Sequence, residues 1–511
     1  MQYRAGMFRH RQNVTDRWAK SRRLWCEPEL TESGEAGQTA RRHAEFYMGL
    51  FAAVQSQGAI ENLSHQLQEV DNLRAALSWA ISSGGDAVLG TEIAAETTDF
   101  WGAASLPGEC CEWAEKALAE IGAAAGTRRE MALQCGLGSA LIYSRGQSLL
   151  ARAALTKGLA LARKFEDFDY QQRATFGLWQ FVGRTEAMNE ALAIARQYEA
   201  IARDRDLQSR ATADWMIGVL QSYPAAHVEA GERLQRAVDQ YPVDRRRRDM
   251  IRLGADLRAS ALCHLAVNLL LRGLLDAASE TAVRAIEEVR NTKHPVALRL
   301  SLRWAGCIVF LNLGELDTAE RYRDELLDLA YKHGLRPFYA AGLCISGSLS
   351  AKRGDPREAE SPLRAGLPEL QETSYMAVHT PFQAELAAIL AATGRVAEGV
   401  IEIEEALCRA TEMDYRWIVP EILRVKGELL QRGGADPAVI ANMFGQSMRQ
   451  AREQQALYWE LCAATSLADV LQSQRRHLEA RAVLAPICDR FFQGFSVSRL
   501  KRARALLDQW A

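Results

Sequence analysis

The side chains best suited to ligand chemistry in this sequence are aromatic, basic and acidic residues between positions 303 and 460. Tryptophan and arginine dominate binding surfaces, so the chemistry that they favour is noncovalent recognition of a protein partner or a small-molecule inducer. For any single residue the competing interpretation is structural, with tryptophans packed between helices and charges exposed to solvent. The candidates are Arg303, Trp304, His379, Tyr415, Arg416, Trp417, Glu421, Arg424, Trp459 and Glu460.

The sequence lacks the common catalytic and cofactor-binding patterns. It has no HExxH zinc motif, no GxSxG nucleophile elbow, no DxDxDG calcium loop and no Gly-Lys dipeptide for a phosphate-binding loop. Its ten cysteines form no CxxC pair, which favours reduced thiols over disulfides or a zinc site. His264 and His379 have no carboxylate three or four residues later, so they are not interpreted as ligands or bases. We therefore predict no enzyme activity, no metal and no cofactor.

The charge balance argues against a general attraction to nucleic acid or to anionic membranes. The 511 residues include 62 lysines and arginines against 64 aspartates and glutamates, a formal net charge of −2. The arginines at 245–248 are flanked by Asp244 and Asp249 and are interpreted as a solvated loop or helix start rather than a phosphate contact. Apolar runs fall short of the ~20 residues of a membrane helix, and no signal peptide is evident. We expect a cytoplasmic protein without direct nucleic-acid or membrane binding.

A repeated turn organises the elements that must position the candidate residues. Its glycines, Gly273, Gly314, Gly354 and Gly394, are separated by 314 − 273 = 41, 354 − 314 = 40 and 394 − 354 = 40 residues. Each is followed five positions later by a small residue. Weaker copies keep that five-residue step, from Gly146 to Ala151, Asp436 to Ala441 and Arg475 to Ala480.

The turn pattern predicts helical hairpins. Glycine can end a first helix in the left-handed conformation, and the small residue lets a second helix approach closely. Apolar residues at 302, 305, 306, 309 and 313 follow helical spacing, and alternating β-type runs are absent. Hairpins that cannot bury both faces alone stack into a solenoid, so we predict an all-α, right-handed superhelix of tetratricopeptide-like hairpins with a period of about 40 residues.

Three regions are predicted along the chain. Residues 1–28 form an atypical segment with seven basic residues against Asp16 and Glu27, expected to be poorly ordered, with a basic arm as the alternative. Residues 29–125 form a helical arm, and residues 126–511 form the repeat array. First helices of stacked hairpins line a concave groove, which places the candidate residues on the binding face.

Several segments resemble the region that follows the ATPase module in bacterial winged-helix transcriptional regulators of the STAND type. They are residues 41–47, 70–79, 424–430, 459–468, 484–487 and 494–495 with 503–507. The resemblance spans roughly residues 29–511 and implies a tetratricopeptide-like sensor array. Its motifs are packing signatures, which some cyclase–ATPase fusions share.

The resemblance implies a function, and this chain departs from the family plan in one respect. Family members carry a winged helix and a nucleotide-binding switch before the array, and this sequence has neither. We expect a non-enzymatic sensor or protein-interaction region of a transcriptional regulator, partnered by a separately encoded winged-helix/ATPase module upstream. The alternatives are a free-standing tetratricopeptide-like scaffold and the tail of a cyclase–ATPase–repeat signalling protein.

Overall fold

The chain is helical throughout the part that the computed structural model describes. That part comprises residues 36–57, 63–104, 106–144, 148–183, 188–242, 246, 253, 256–292, 295–373 and 375–510. No β-strand occurs in these ranges, which confirms the predicted all-α class. No described helix is long and apolar enough to cross a bilayer. The predicted segment 1–28 lies outside the described residues.

Six helices form the N-terminal part of the described chain. They are α1 (Ala36–Gln57), α2 (Leu63–Gln68), α3 (Val70–Ala80), α4 (Ala87–Glu96), α5 (Thr98–Ala103) and α6 (Pro107–Ala119), followed by a 3-10 turn at Gly122–Ala124. The rings of Phe51 and Phe100 meet at 4.5 Å in their buried core, and Trp101 packs beside them. The predicted arm is thus helical where it is described, and its boundary at residue 126 stays a prediction.

Nine consecutive hairpins and a final helix follow in the described residues. Their helix pairs are α7 (Arg128–Ser144) with α8 (Leu149–Lys164), α9 (Phe168–Val182) with α10 (Met188–Ala202), α11 (Leu207–Ser222) with α12 (His227–Gln240), α13 (Leu257–Leu271) with α14 (Leu275–Arg290), α15 (Pro295–Ser301) and α16 (Phe310–Leu313) with α17 (Leu316–Lys332), α18 (Arg336–Lys352) with α19 (Pro356–Glu372), α20 (Met376–Ala392) with α21 (Val396–Glu412), α22 (Val419–Arg432) with α23 (Pro437–Glu453), and α24 (Leu457–Ser473) with α25 (His477–Cys488). The final helix is α26 (Ser498–Gln509).

The turn chemistry that the sequence predicts is confirmed in four hairpins. Their glycines adopt positive φ angles, which only glycine reaches without strain, namely +83° at Gly273, +81° at Gly314, +92° at Gly354 and +88° at Gly394. The small residues five positions later are buried against the first helix, namely Ala278, Ala319, Ala359 and Gly399. At the last of these, an added Cβ would lie 2.7 Å from a backbone oxygen of the first helix.

The weaker copies of the turn have mixed outcomes. Arg475 has a φ of +62° in the glycine position, and Ala480 is fully buried, as predicted. The register at Asp436 is wrong by two residues, because Gly434 holds the left-handed conformation at +73° while Asp436 caps the start of α23. Gly146 lies outside the described residues.

The first helix of the fifth hairpin contains an unusual stretch of backbone. Between α15 and α16, residues Leu302–Val309 form a π-helix, a rare conformation that occurs often at functional sites. The predicted apolar stripe is buried there, although its backbone is π-helical rather than α-helical. Arg303 and Trp304 lie on this segment.

Hairpins that are distant in the sequence meet, so the array coils back onto itself. The start of α14, in the fourth hairpin, contacts the segment before α26, where the Gly494 N–H donates to Oδ2 of Asp276 at 2.9 Å. The N–H of Ala277 donates to Oε1 of Gln493 at 3.0 Å. We call this contact the closure contact.

Candidate ligand site inside the superhelix

Four rings on successive first helices form a continuous row, which we call the aromatic row. Trp179 on α9 and Trp215 on α11 have ring centroids 4.9 Å apart. His264 on α13 lies 6.0 Å from Trp215 and 5.8 Å from Trp304 on the π-helical segment. The three tryptophans are each at most 8% exposed, and His264 is half-buried. The row therefore runs along the inner surface of four neighbouring hairpins.

Two buried arginines extend the aromatic row. The Arg303 guanidinium lies 4.2 Å from the Trp304 ring centroid and 5.2 Å from that of Tyr375, and its Nη2 donates to the Tyr375 hydroxyl at 3.0 Å. The Arg299 guanidinium lies 4.4 Å from the Tyr143 ring centroid. Both arginines are only 3% exposed. Such stacking stabilises a desolvated cation by about 2 kcal/mol.

Two adjoining cavities border the aromatic row. The larger has a volume of about 70 Å³ and is lined by Arg299 and Arg303, so we call it the arginine cavity. The smaller has a volume of about 30 Å³ and is lined by His227 and Asn268, so we call it the histidine cavity. The side chains that line both are Val219, Tyr223, His264 and Trp304.

The histidines of this region are neutral near physiological pH. Burial lowers the pKa of His264 to about 4, and its Nδ1 lies 2.7 Å from the Ser260 carbonyl oxygen. The indole Nε1 of Trp215 lies 3.5 Å from the same nitrogen. Burial and the charge of Arg272 lower the pKa of His227 to about 4 as well. Within the described residues, neither ring nitrogen of His227 nor Oδ1 of Asn268 has a hydrogen-bond partner.

Four of the predicted candidates lie close together beside these cavities. Trp304 lines both cavities, and Trp417 lines the histidine cavity. The Trp417 N–H donates to the Tyr223 carbonyl at 3.1 Å, and the ring of Tyr415 lies 5.0 Å from that of Tyr223. Trp459 donates from Nε1 to the Trp417 carbonyl at 3.0 Å.

Another group of candidates forms buried polar pairs away from the two cavities. Arg424 is 6% exposed and donates from Nε and Nη2 to the Glu421 carboxylate, both at 2.7 Å, and it also pairs with Glu428. His379 has a pKa lowered to about 4 by burial and by Arg409, whose Nη1 lies 2.9 Å from its Nδ1. The charge of Arg424 is thus engaged within the fold.

The remaining two candidates differ in exposure. Arg416 is exposed and pairs with Asp414 at 2.6 Å. Glu460 is completely buried, and its carboxylate accepts from Arg452 at 2.9 Å and from Arg490 at 2.5 Å. Of the ten predicted residues, Arg303, Trp304 and Trp417 line the cavities, and their role in binding stays a prediction.

The interpretation of the arginine run as a solvated loop or helix start is wrong about solvation at Arg246, which is helical but buried. Its side chain is buried and pairs with Asp256 at 2.6 Å and with Glu288 at 3.1 Å. Carboxylates distant in the sequence neutralise it, and no local charge pattern reveals them. The other three arginines lie outside the described residues.

A third and larger cleft, of about 630 Å³, lies between α4, the 3-10 turn and α7. Its lining includes four carboxylates against two arginines. Arg129 pairs with Glu92 at 3.0 Å and Arg128 with Asp167 at 2.5 Å. The cleft therefore carries an excess of carboxylates, and both of its arginines are engaged in ion pairs.

Sequence reasoning missed several residues of the site. They are Trp179, Trp215, Tyr223, Arg299 and Tyr375. The row residues are separated by 215 − 179 = 36, 264 − 215 = 49 and 304 − 264 = 40 positions, so no fixed period marks them. An aromatic or histidine residue in each consecutive first helix is the one signal that was available.

No family model and no curated protein sequence matches this chain. Similar solved structures include a Rap protein complexed with competence and sporulation factor, 13% identical, covering 75% of this chain and 97% of Rap at a TM-score of 0.45. The apo form of the quorum sensor NprR from B. thuringiensis is 11% identical, and the match covers 70% of this chain and 97% of NprR at a TM-score of 0.42. The human IFIT1 dimer with m7Gppp-AAAA is 12% identical, and the match covers 86% of this chain and 94% of IFIT1 at a TM-score of 0.42. At such identities and TM-scores these proteins indicate nothing about the ligand of this chain.

Proposed function

We propose that this chain is a non-enzymatic sensor or protein-interaction repeat region of a transcriptional regulator, which binds its inducer or partner on the inner surface of the superhelix. The observation that carries the proposal is the aromatic row with its two stacked arginines. Tryptophan, tyrosine and arginine are the residue types that dominate binding energy at interfaces. Here they lie together on successive first helices beside two cavities.

The chemistry of the inner surface favours binding over catalysis. Cys263 lies on the same helix as His264 but outside both cavities, and burial raises the pKa of its thiol to about 12, so this thiol is protonated and a poor nucleophile. The two histidines beside the cavities are neutral, and the arginines are too basic to exchange protons. Side chains with these protonation states recognise shape and charge but do not move protons near neutral pH.

The regulatory context rests on the sequence resemblance to STAND-type regulators. It supports a separately encoded winged-helix/ATPase module as the macromolecular partner, which would supply DNA binding and nucleotide hydrolysis. Binding of the inducer or partner would shift the array from one conformation to another, and the module would respond to that change of conformation.

A melting experiment on the full chain separates a sensor from a scaffold. A cell extract is divided by ultrafiltration into a small-molecule fraction and a macromolecular fraction, and each is added to the purified protein. A sensor melts several degrees higher with the small-molecule fraction, because a ligand that binds only the folded state stabilises it. Trp304→Phe should reduce that rise, whereas Trp113→Phe on α6, outside both cavities, should not.

The other outcomes of this experiment are equally informative. A rise with the macromolecular fraction alone would favour the scaffold. No rise with either fraction, or equal effects of the two tryptophan variants, would contradict binding at the inner surface.

A further inference from the structure

We propose that a basic and aromatic surface at the C-terminal end of the array docks a short acidic segment of a partner protein, one that also carries apolar side chains. The surface consists of Phe492, Phe495, Lys501 and Arg504, and we call it the C-terminal surface. It lies on α26 and the segment before it, outside both cavities, so the inference goes beyond the proposed function.

The charge of the chain is unevenly distributed. Residues 475–511 contain eight of the 62 lysines and arginines but only three of the 64 aspartates and glutamates, a formal charge of 8 − 3 = +5. The preceding 474 residues carry 54 − 61 = −7. Three of the eight cations, Arg476, Arg490 and Arg502, are engaged in ion pairs with described carboxylates. The remaining positive charge favours an anionic partner at this end of the chain.

Two cations of the C-terminal surface are exposed and stand side by side. Lys501 and Arg504 are three positions apart on α26, a spacing that places Cβ atoms about 5–6 Å apart on a helix. Within the described residues neither forms an ion pair, and Asp508, one turn further along the helix, pairs with neither. The Arg504 guanidinium lies 4.0 Å from the Phe495 ring centroid, and this stacking holds its planar N–H donors in place for a carboxylate. A pair of carboxylates is therefore the ligand charge that matches.

The two rings of the C-terminal surface supply apolar contact area. Phe492 is 72% exposed and Phe495 is 45% exposed, although the segment that carries them is anchored to the fold. Phe491 is buried, and the Gly494 N–H donates to Asp276 in the closure contact. The segment therefore presents its rings from a fixed position, so that docking does not first have to order it. Aromatic rings beside arginine are the combination that dominates binding energy at protein interfaces.

A similar stack elsewhere in the chain shows which features distinguish the C-terminal surface. The Arg205 guanidinium lies 3.8 Å from the ring centroid of Phe168, which is 46% exposed. Arg205 stands between two aspartates in the sequence, so the local charge is balanced. The stack alone is therefore not a sign of binding. The neighbouring Lys501 and the second exposed ring, Phe492, are what the C-terminal surface adds.

The charge of the rest of the chain favours a protein segment over a nucleic acid or a membrane. A long anionic strand or a bilayer would extend beyond the C-terminal surface and meet the part of the chain whose formal charge is −7. Repulsion there opposes binding. A short acidic segment contacts the local cations alone, and its apolar side chains can pack on the exposed rings.

Fluorescence anisotropy with labelled peptides tests the proposal on the full chain. The probe is the peptide Ser-Glu-Glu-Leu-Glu-Glu-Leu-Ser, and the two control peptides replace all glutamates by glutamine or both leucines by serine. We expect the acidic probe to bind at about 50 mM NaCl and to weaken at about 500 mM. The glutamine peptide should bind about tenfold or more weakly, the usual effect of losing charged hydrogen bonds, and the serine peptide should also bind more weakly. Equal binding of the acidic and the glutamine peptides would overturn the proposal.

Variants at exposed positions locate the binding. The double variant Lys501→Gln with Arg504→Gln should raise the Kd of the acidic probe about tenfold or more. Phe492→Ser should raise the Kd without changing its dependence on salt, because only apolar contact is lost. Arg205→Gln is the matched control, since Arg205 is exposed and stacked on a ring outside the C-terminal surface. Equal losses in the double variant and in Arg205→Gln would overturn the proposal.

Two further probes distinguish the class of partner. They are an oligothymidylate of about 20 nucleotides and phosphatidylcholine vesicles that contain about 30% phosphatidylglycerol. We expect both to bind more weakly than the acidic peptide. Tighter binding of either one, lost in the double variant, would overturn the protein partner in favour of that class.

Discussion

Replacing Gly273 by alanine tests whether the superhelix closes on itself. Gly273 ends α13 with a φ of +83° and is buried beneath the C-terminal hairpin. A Cβ at this position would lie 2.8 Å from Cδ2 of Leu457 and 3.0 Å from Cε1 of Phe491. Both of these side chains are buried, so neither can move aside freely.

Two terms set the expected loss of stability. An alanine in the left-handed conformation costs about 1–2 kcal/mol. Overpacking against Leu457 and Phe491 adds about 1–3 kcal/mol. Gly354→Ala and Gly394→Ala are the controls, because their φ angles are +92° and +88° and no atom lies within 4 Å of an added Cβ. They should show the conformational cost alone.

Urea denaturation followed by circular dichroism gives the free energies of unfolding, and hydrogen exchange of the Gly494 amide reports the closure contact directly. Gly273→Ala should destabilise the chain by about 1–3 kcal/mol more than Gly354→Ala and should speed that exchange. In a Leu457→Ala background the excess should shrink, because the clashing Leu457 atoms are gone and only Phe491 still lies close to the added Cβ. Equal effects of Gly273→Ala and Gly354→Ala would refute the closed arrangement.

Three further predictions concern packing, acidity and nucleotide. Ala319→Leu should lower the free energy of unfolding by about 1–3 kcal/mol, because the larger side chain overpacks the contact between the two helices. Glu315→Ala, at an exposed position, should change it by no more than about 0.5 kcal/mol. Equal effects of the two variants would show that the assigned register of the repeat is wrong. Three buried histidines, His227, His264 and His379, have pKa values of about 4 in the folded state against about 6.5 in the unfolded state. The free energy of unfolding should therefore fall as the pH drops below about 6.5, by about 2 kcal/mol per histidine at about pH 5. Urea titrations that give the same free energy at every pH would contradict the burial of neutral histidines. Mg-ATP should be neither hydrolysed nor stabilising, and a melting rise of several degrees at millimolar nucleotide would oppose this.

Local chemistry made much of the fold predictable. The left-handed conformation at Gly314 follows from the absence of a Cβ, and the tight contact at Ala319 follows from the small size of alanine. The sequence of the turn is therefore enough to predict its structure. Where the turn uses Arg475 the same conformation occurs with a non-glycine residue, and the five-residue step alone indicated it. Asp436 instead caps the N-terminus of α23, a role that aspartate favours, so the repeat register that the five-residue step predicted there is wrong.

Contacts across the superhelix were beyond sequence reasoning. The Gly494 amide meets Asp276, 218 positions earlier, and neither residue carries a local sign of the other. Closure depends on the number and size of hairpins in each superhelical turn, since small rotations between neighbours accumulate along the array. The repeat period predicts a superhelix but does not specify how tightly it coils.

The candidate site was predictable in residue type and only partly in position. Arg303 and Trp304 line the cavities from the π-helical segment of a first helix, whereas Trp417 lines the histidine cavity from a 3-10 turn, Arg416–Ile418, that precedes α22. The same criterion selected Glu460, whose carboxylate is fully buried between two arginines. An arginine that faces a cavity and an arginine that neutralises a buried carboxylate use the same guanidinium group. Residue type alone therefore does not distinguish the two roles.

Arg424 makes that distinction testable. It contacts the Glu421 carboxylate through two hydrogen bonds, and both side chains are largely buried. Burial alone would raise the pKa of Glu421, but the adjacent Arg424 charge holds it below its usual value, so the carboxylate stays ionised. Arg424→Ala would leave that charge buried without its main partner.

We therefore expect Arg424→Ala to lower the free energy of unfolding by about 3–5 kcal/mol in urea titrations. Replacing both partners, as in Arg424→Met with Glu421→Leu, should recover most of the loss, because a buried ion pair is often replaceable by apolar side chains of similar volume. Recovery in the double variant assigns the pair to stability. Unchanged stability in Arg424→Ala, together with weaker binding of the inducer or partner, would instead place Arg424 on the binding surface with Arg303 and Trp417.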